Sequence, residues 1–131
     1  MIDHLSSYAT DYEVTKAFYQ AALAPLGYPL VLEEVAHWNP DWPTQRMCAF
    51  GPDGRPVFWV IESSEAATPR HTAFAARDRA AVSDFYHAAL AAGGKDNGAP
   101  GQRPQYHQHY FGAFVLDPDG NNVEAVCHLP G

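Results

Sequence analysis

Hydrophobic and polar positions follow the same pattern twice along the chain. Residues 4–24 (HLSSYATDYEVTKAFYQAALA) align without a gap on residues 71–91 (HTAFAARDRAAVSDFYHAALA), with nine identities in 21 positions. GPDGRPVFWV (51–60) then aligns on DPDGNNVEAV (117–126) at an offset of 66. The repetition predicts two packed copies of one unit of about 65 residues.

Each unit is predicted to fold as βαβββ, which makes the chain an α+β protein. A short strand (2–9, then 70–76) leads to an Asp that can cap a helix, Asp11 or Asp78. Three strands follow each helix, with a Pro-Asp-Gly turn between the last two. We expect these strands at 29–36, 45–50 and 56–62 in the first unit, and at 102–107, 109–116 and 122–128 in the second. Loops are expected at 37–43 and 93–104.

Helical spacing predicts which face of each helix is apolar. The apolar positions are Val14, Ala17, Phe18, Ala21 and Ala22 in the first helix, and Ala81, Val82, Phe85 and Ala89 in the second. With 131 residues, we expect one domain, 1–131, made of modules at about 1–62 and 69–131 with a linker at 63–68.

Composition excludes several classes of partner. Hydrophobic residues make up 47% of the chain, and the formal charge is -7 with eight Lys plus Arg. That charge argues against nucleic acid or an anionic membrane as a partner, because both need a basic surface. No run of 18 apolar residues is present, and Cys48 and Cys127 are expected to be buried free thiols. A cytoplasmic protein is the prediction.

The repeat brings together residues that suit a metal. His4 and His71 open the first strand of each unit, so they occupy equivalent places. Glu124 lies in an apolar strand, and its counterpart at the 66-residue offset is Phe58. Imidazole and carboxylate groups bind divalent iron, manganese, zinc or nickel, and a metal would compensate a buried anion. We therefore expect one divalent metal ion on His4, His71 and Glu124.

These residues resemble a known family. MIDH, AFYQAALAPLGY, HTAFAARDRAAVSDFYHAALAAGG and FVLDPDGNNVEAV are similar to segments of the vicinal oxygen chelate superfamily, which includes glyoxalases, extradiol dioxygenases and bleomycin-resistance proteins. The resemblance implies two modules whose mixed sheets curve into a cup, with the helices outside. It also implies metal ligands at His4, His71 and Glu124. Phe58 departs from glyoxalase I, which has a carboxylate ligand there, and Phe114 departs from the dioxygenases, which tend to have tyrosine.

A glyoxalase-like lyase or isomerase, binding a small substrate through adjacent oxygens, is the leading functional hypothesis. Two alternatives stay open: an Fe(II) extradiol dioxygenase, and a non-catalytic protein that sequesters small molecules as bleomycin-resistance proteins do. A homodimer is expected, and the cup could form within one chain or between two. Glu124, His109 and Tyr110 are the candidate catalytic residues, because isomerisation needs a proton carrier. The candidate pocket residues are Tyr8, Phe58, His107 and Phe114, and Arg46 and Arg103 could anchor an anionic substrate.

Overall fold

The computed structural model describes residues 2–67 and 69–131. Met1 and the linker residue Thr68 lie outside the described residues. The first module contains β1 (Leu5–Ala9), α1 (Tyr12–Leu23), a 3-10 turn (Ala24–Leu26), β2 (Leu30–Val35), β3 (Arg46–Phe50), a second 3-10 turn (Pro52–Gly54) and β4 (Phe58–Glu62). The second contains β5 (His71–Ala75), α2 (Arg79–Ala91), β6 (Lys95–Gln102), β7 (Phe111–Leu116) and β8 (Asn122–Cys127). The predicted βαβββ order is confirmed in both modules.

Each module forms one mixed four-stranded sheet. The strand orders are β1-β4-β3-β2 and β5-β8-β7-β6. The first strand of each module pairs in parallel with the last, and the remaining pairs are antiparallel. The predicted two-module α+β fold is therefore confirmed. In the described ranges, no helix is long and apolar enough to cross a membrane.

The two helices begin where the sequence predicts, but only one buries the predicted face. The Asp11 and Asp78 carboxylates accept hydrogen bonds from the backbone N–H groups of Val14 and Ala81, as N-caps do. All four predicted apolar residues of α2 are buried. In α1 the prediction is wrong for Val14 and Ala17, which are exposed. The buried stripe begins at Tyr12 and follows helical spacing from there, so the buried residues of α1 are Tyr12, Thr15, Phe18, Tyr19, Ala22 and Leu23.

The prediction for residues 93–107 is also wrong. This stretch was expected to hold a loop followed by a strand at 102–107, whereas β6 spans Lys95–Gln102 and turns follow it. The register with β7 shifts around Gly98 and again before Gly101. Such shifts interrupt the alternation of apolar and polar residues from which strands are predicted. The backbone of β6 still pairs with β7, although β6 has no continuous apolar face. His107 and His109 consequently lie in a loop, where their side chains need not share a face.

The DPDGN turn between β7 and β8 joins the two modules. The buried Asp117 carboxylate accepts a hydrogen bond from the Tyr19 hydroxyl at 2.5 Å and others from Asn121 and the Asp119 backbone N–H. Asp119 accepts from the Thr10 hydroxyl at 2.6 Å, just before α1 begins. The turn therefore does more than reverse the chain. It fixes the second module against the first, and one hydrophobic core runs through both.

Each sheet has a face against the helices and an opposite face, which we call the open face. Phe58 lies on the helix side, 2% exposed, and its ring is 4.9 Å from that of Tyr19. Its neighbour Trp59 therefore lies on the open face. In β8 the helix-side residue is Val123, so Glu124 is on the open face. By face, the first-module equivalent of Glu124 is Trp59, and the 66-residue offset does not hold along this strand.

Candidate active site

The candidate site lies on the open face of the second module. Strand β5 begins at His71, whose Nε2 is 3.1 Å from Oε1 of Glu124 in the adjacent strand β8. Glu124 is only 2% exposed, whereas about half of the His71 side chain is accessible. The Phe114 ring stacks on the His71 ring at 6.3 Å between centroids. A buried carboxylate thus meets an accessible imidazole.

Tyr110 holds the second oxygen of the carboxylate. Its hydroxyl donates a hydrogen bond to Oε2 of Glu124. Burial, and then the neighbouring Glu124 charge, raise the pKa of Tyr110 well above its ordinary value, so the hydroxyl keeps its proton. Gly112 leaves the necessary space, since a Cβ there would lie 3.2 Å from the Tyr110 ring and 3.3 Å from Oε2.

The His71 ring is oriented by a backbone carbonyl. Its Nδ1 lies 3.2 Å from the carbonyl oxygen of Asn122. A carbonyl only accepts, so Nδ1 carries hydrogen in this contact. Two lone pairs would then face each other between Nε2 and Glu124 unless a proton or a metal ion lies between them. An imidazole nitrogen and a carboxylate oxygen are both ligands of divalent metals, so these two groups fit part of a divalent-metal site.

A groove opens beside this pair. A cavity of about 410 Å³ is lined by His71, Tyr106, Tyr110, Phe114, Asn122 and Glu124. A second cavity of about 360 Å³ shares Tyr106, Phe114 and Asn122 with the first and adds Asn97, Gly98 and Arg103. The two form one groove, which we call the β7–β8 groove. It is wide enough for a small molecule.

His4 lies apart from this pair. Its Nδ1 contacts Asp3 at 2.7 Å, and it lines a cavity on the open face of the first module with Ser6, Glu34, Trp38, Met47, Trp59 and Ile61. His4 immediately precedes β1, which begins at Leu5, so the prediction that it opens this strand is off by one residue. Tyr8 lies on β1, and its ring lies under the Arg70 guanidinium. Across residues 2–67 and 69–131, no group of three His, Cys, Asp or Glu side chains is placed to hold a metal.

The remaining predicted site residues lie in three different places, namely beside the groove, in the loop before β7 and in the core. His107 Nε2 contacts Nδ1 of His128 at 2.7 Å, and both rings lie edge-on to Tyr110. His109 does not line the groove, and its backbone N–H donates to His107. Phe58 is packed in the core, at the edge of an apolar cavity between the modules. Cys48 and Cys127 are buried and free, as predicted.

Two open-face residues were not predicted. Asn122 lines both parts of the groove, and its side-chain oxygen is buried with no hydrogen-bond partner among the described residues. Strand alternation could have identified it, because it lies two residues before Glu124. Trp59 was missed because the turn motifs of the two modules align at an offset that is one residue longer than the offset between the strands. The aligned turns therefore matched Glu124 with Phe58 instead of Trp59.

Comparison with known proteins identifies the family. The model of the Glyoxalase/Bleomycin resistance protein/Dioxygenase superfamily matches residues 1–125. The chain belongs to this superfamily. Among solved structures, a glyoxalase/bleomycin resistance protein from Albidiferax ferrireducens T118 is 26% identical, with a TM-score of 0.74 and coverage of 97% of this chain and 98% of that one. No curated protein sequence matches.

More distant members share the fold. Lactoylglutathione lyase from Agrobacterium tumefaciens is 20% identical, with a TM-score of 0.66 over 97% of this chain and 92% of that one. A mutant of maize glyoxalase I is 22% identical, with a TM-score of 0.69 over 95% of this chain but only 46% of that one. At these identities the superfamily likeness shows the fold alone. The reaction has to be argued from the groove.

Proposed function

We propose that this protein is a divalent-metal-dependent enzyme of glyoxalase-like type, a lyase or isomerase that binds a small substrate through adjacent oxygens. The observation that carries the proposal is the 3.1 Å approach of His71 Nε2 to a buried Glu124 oxygen. The neighbouring groove supports a small ligand. Superfamily membership and the two free buried cysteines fit a single-domain cytoplasmic enzyme.

His71 and Glu124 would hold the metal, and the metal would stabilise negative charge on substrate oxygens. The residues around them have separate tasks. The Asn122 carbonyl sets the tautomer of His71, and the Phe114 ring lies nearly parallel to the imidazole. The Tyr110 hydroxyl keeps its proton and orients Glu124, which is the candidate to move a proton at Oε1 or Oε2. His109 does not line the groove, so the proposal assigns the proton transfer to Glu124 and gives His109 no role.

The third ligand is proposed to be His4 of a second copy of the chain. His4 is the repeat equivalent of His71, yet it lies in a different cavity of the same chain. Trp38 lines the same cavity as His4 and is 67% exposed in a single chain, so a partner chain could cover it. A homodimer that packs the open face of one first module against a partner's second module would bring His4 to the groove.

Metal analysis of protein purified without chelator is the decisive test. We expect about one equivalent of a divalent transition metal per chain, lost in the H71A/E124A double variant. His87→Ala is the control, because His87 is an exposed histidine on α2. No metal in the native chain, and none after reconstitution with Fe(II), Mn(II), Ni(II) or Zn(II), would contradict the proposal and favour a sequestering protein. Oxygen uptake with catechols would favour the dioxygenase.

Mixing variants tests the shared site. His4→Ala and Glu124→Ala chains should each lack metal alone. If they are unfolded and refolded together, mixed dimers contain one intact site, so about a quarter of all sites should regain metal. Recovery in the mixture places His4 and Glu124 of one site on different chains. Full metal content in His4→Ala alone would remove His4 from the proposed ligand set.

A further inference from the structure

Arg103 lies at the far end of the β7–β8 groove. It follows β6, in the turn-rich segment that leads to Tyr110, and its backbone N–H donates to the Tyr110 carbonyl at 2.7 Å. The cavity around Arg103 shares three lining residues with the cavity around His71 and Glu124. A molecule lying in the groove could therefore reach the carboxylate at one end and the guanidinium at the other.

The guanidinium is held in place. Nη2 donates to the carbonyl oxygen of Ala99 at 2.8 Å, and the group lies 5.5 Å from the centre of the Phe114 ring. Gly98 and Gly101 leave space for it, since a Cβ at either position would come within 3.3 Å and 3.1 Å of Nη2 and Nη1. A guanidinium ordered in advance loses little freedom when it binds an anion.

Its charge has no counterpart in the described chain. The protein is acidic, with 15 Asp plus Glu against eight Lys plus Arg. None of the ion pairs within residues 2–67 and 69–131 includes Arg103. Arg46, by contrast, pairs with both Glu13 and Glu62. An ordered cation that faces a groove without a carboxylate partner is available to a ligand.

We infer that Arg103 forms an anion subsite and that the substrate carries a phosphate or carboxylate group in addition to its adjacent oxygens. The inference rests on the proposed function for the identity of the groove as the substrate site. It narrows the substrate class to small anionic oxygenated molecules, such as a phosphorylated hydroxy-ketone. Arg103 is a specificity-determining residue in this account, and it takes no part in the chemical step.

The test is titration with inorganic phosphate, and separately with acetate, followed by the backbone amide NMR signals of Gly98 and Gly101. Native protein should show saturable shifts at these amides with a Kd on the order of 1 mM, as expected for one charge-assisted contact. Arg103→Gln should weaken binding about ten-fold or more. Arg55→Gln is the matched control, because Arg55 is exposed on the turn before β4, and it should bind like native protein.

A variant without the proposed metal ligands distinguishes a failure of the Arg103 subsite from a failure of the proposed function. Phosphate binding should persist in the H71A/E124A double variant, so the subsite stands even if metal analysis fails. The tighter of the two anions indicates which group the substrate carries. Absence of saturable shifts in native protein, or equal binding by native protein and Arg103→Gln, would overturn the inference while leaving the proposed metal site untouched.

Discussion

Glu124 shows how a charged side chain is accommodated in an apolar strand. Its two oxygens face different partners, His71 on one side and the Tyr110 hydroxyl on the other. A carboxylate buried without such partners would cost several kcal/mol, as desolvation is expensive for a charge (about 3–5 kcal/mol when one partner is removed). Gly112 matters equally, because any larger residue would crowd the Tyr110 contact. Residues from β5, from the segment before β7 and from β7 itself therefore all surround the Glu124 carboxylate.

Removing the Tyr110 hydroxyl tests this arrangement at the residue scale. Tyr110→Phe should weaken divalent-metal binding by about ten-fold, because a ligand that loses its orienting hydrogen bond is held less well. Competition with a chromogenic chelator measures the change. Tyr106→Phe is the control, since Tyr106 lines the same groove and its side chain is exposed. Equal or tighter metal binding in Tyr110→Phe would contradict the orienting role of this hydroxyl.

Among the elements, the β7–β8 turn supplies buried polar contacts between the modules, beside the shared hydrophobic core. Asp117 is 4% exposed and accepts from the turn itself as well as from Tyr19 in α1. Tyr19→Phe removes the donor from the other module and leaves a buried carboxylate oxygen with one partner fewer. We expect the free energy of unfolding to fall by about 1–3 kcal/mol. Denaturant unfolding measures the change in the free energy of unfolding. Tyr28→Phe is the control, because Tyr28 is a half-buried tyrosine. Equal losses of stability in the two variants would contradict a specific contribution of the Tyr19–Asp117 hydrogen bond.

The Arg46–Glu62 pair links β3 to β4 and gives a pH prediction. Hydrogen bonds from Arg46 lower the pKa of Glu62, and the shortest contact is 2.7 Å. A folded-state pKa below the unfolded-state value means stabilisation that is complete above the ordinary carboxyl pKa, about 4.3. The stabilisation is lost as the pH falls through the lower folded-state value. Glu62→Gln should therefore cost about 1 kcal/mol at neutral pH, and the cost should shrink on acidification.

Unfolding curves of native protein and Glu62→Gln, measured from neutral pH down to pH values below the ordinary carboxyl range, check this prediction. Glu65→Gln is the control, because Glu65 is exposed in the linker region and belongs to none of the observed ion pairs. A cost of Glu62→Gln that stays constant across the range would mean that the carboxyl charge does not contribute. A cost that grows on acidification would reverse the predicted sign.

At the scale of the whole molecule, the repeat made the fold predictable, because βαβββ order follows from local patterns and caps that occur twice. Strand β6 escaped prediction since its pairing depends on β7 and not on its own side chains. The candidate site was harder to predict than the fold, because its geometry also depends on contacts between elements and not on local sequence patterns. Glu124 and His71 could be paired from the repeat, but the position of His4 depends on how modules pack. The equivalence of Trp59 with Glu124 was missed for another reason, since the strands follow an offset of 65 residues whereas the turn motifs align at 66.

Dimerisation is the last prediction, and it follows from the open faces. We expect the native protein to sediment at twice the 14.4 kDa chain mass, because a partner chain would cover Trp38, which is 67% exposed beside His4 on the open face of the first module. Trp59→Glu places a charge beside His4 on that face. It should produce single chains that retain helical circular dichroism but bind little metal, since each site would then lack its third ligand.

Val14→Glu is the matched control, because it introduces the same charge on the exposed side of α1, where Val14 is 48% exposed. It should remain dimeric and bind metal as native protein does. A native protein that sediments as one chain while holding a full equivalent of metal would contradict the shared site. His4 would then have to reach Glu124 within one chain, which requires the two modules to pack differently from the arrangement described above.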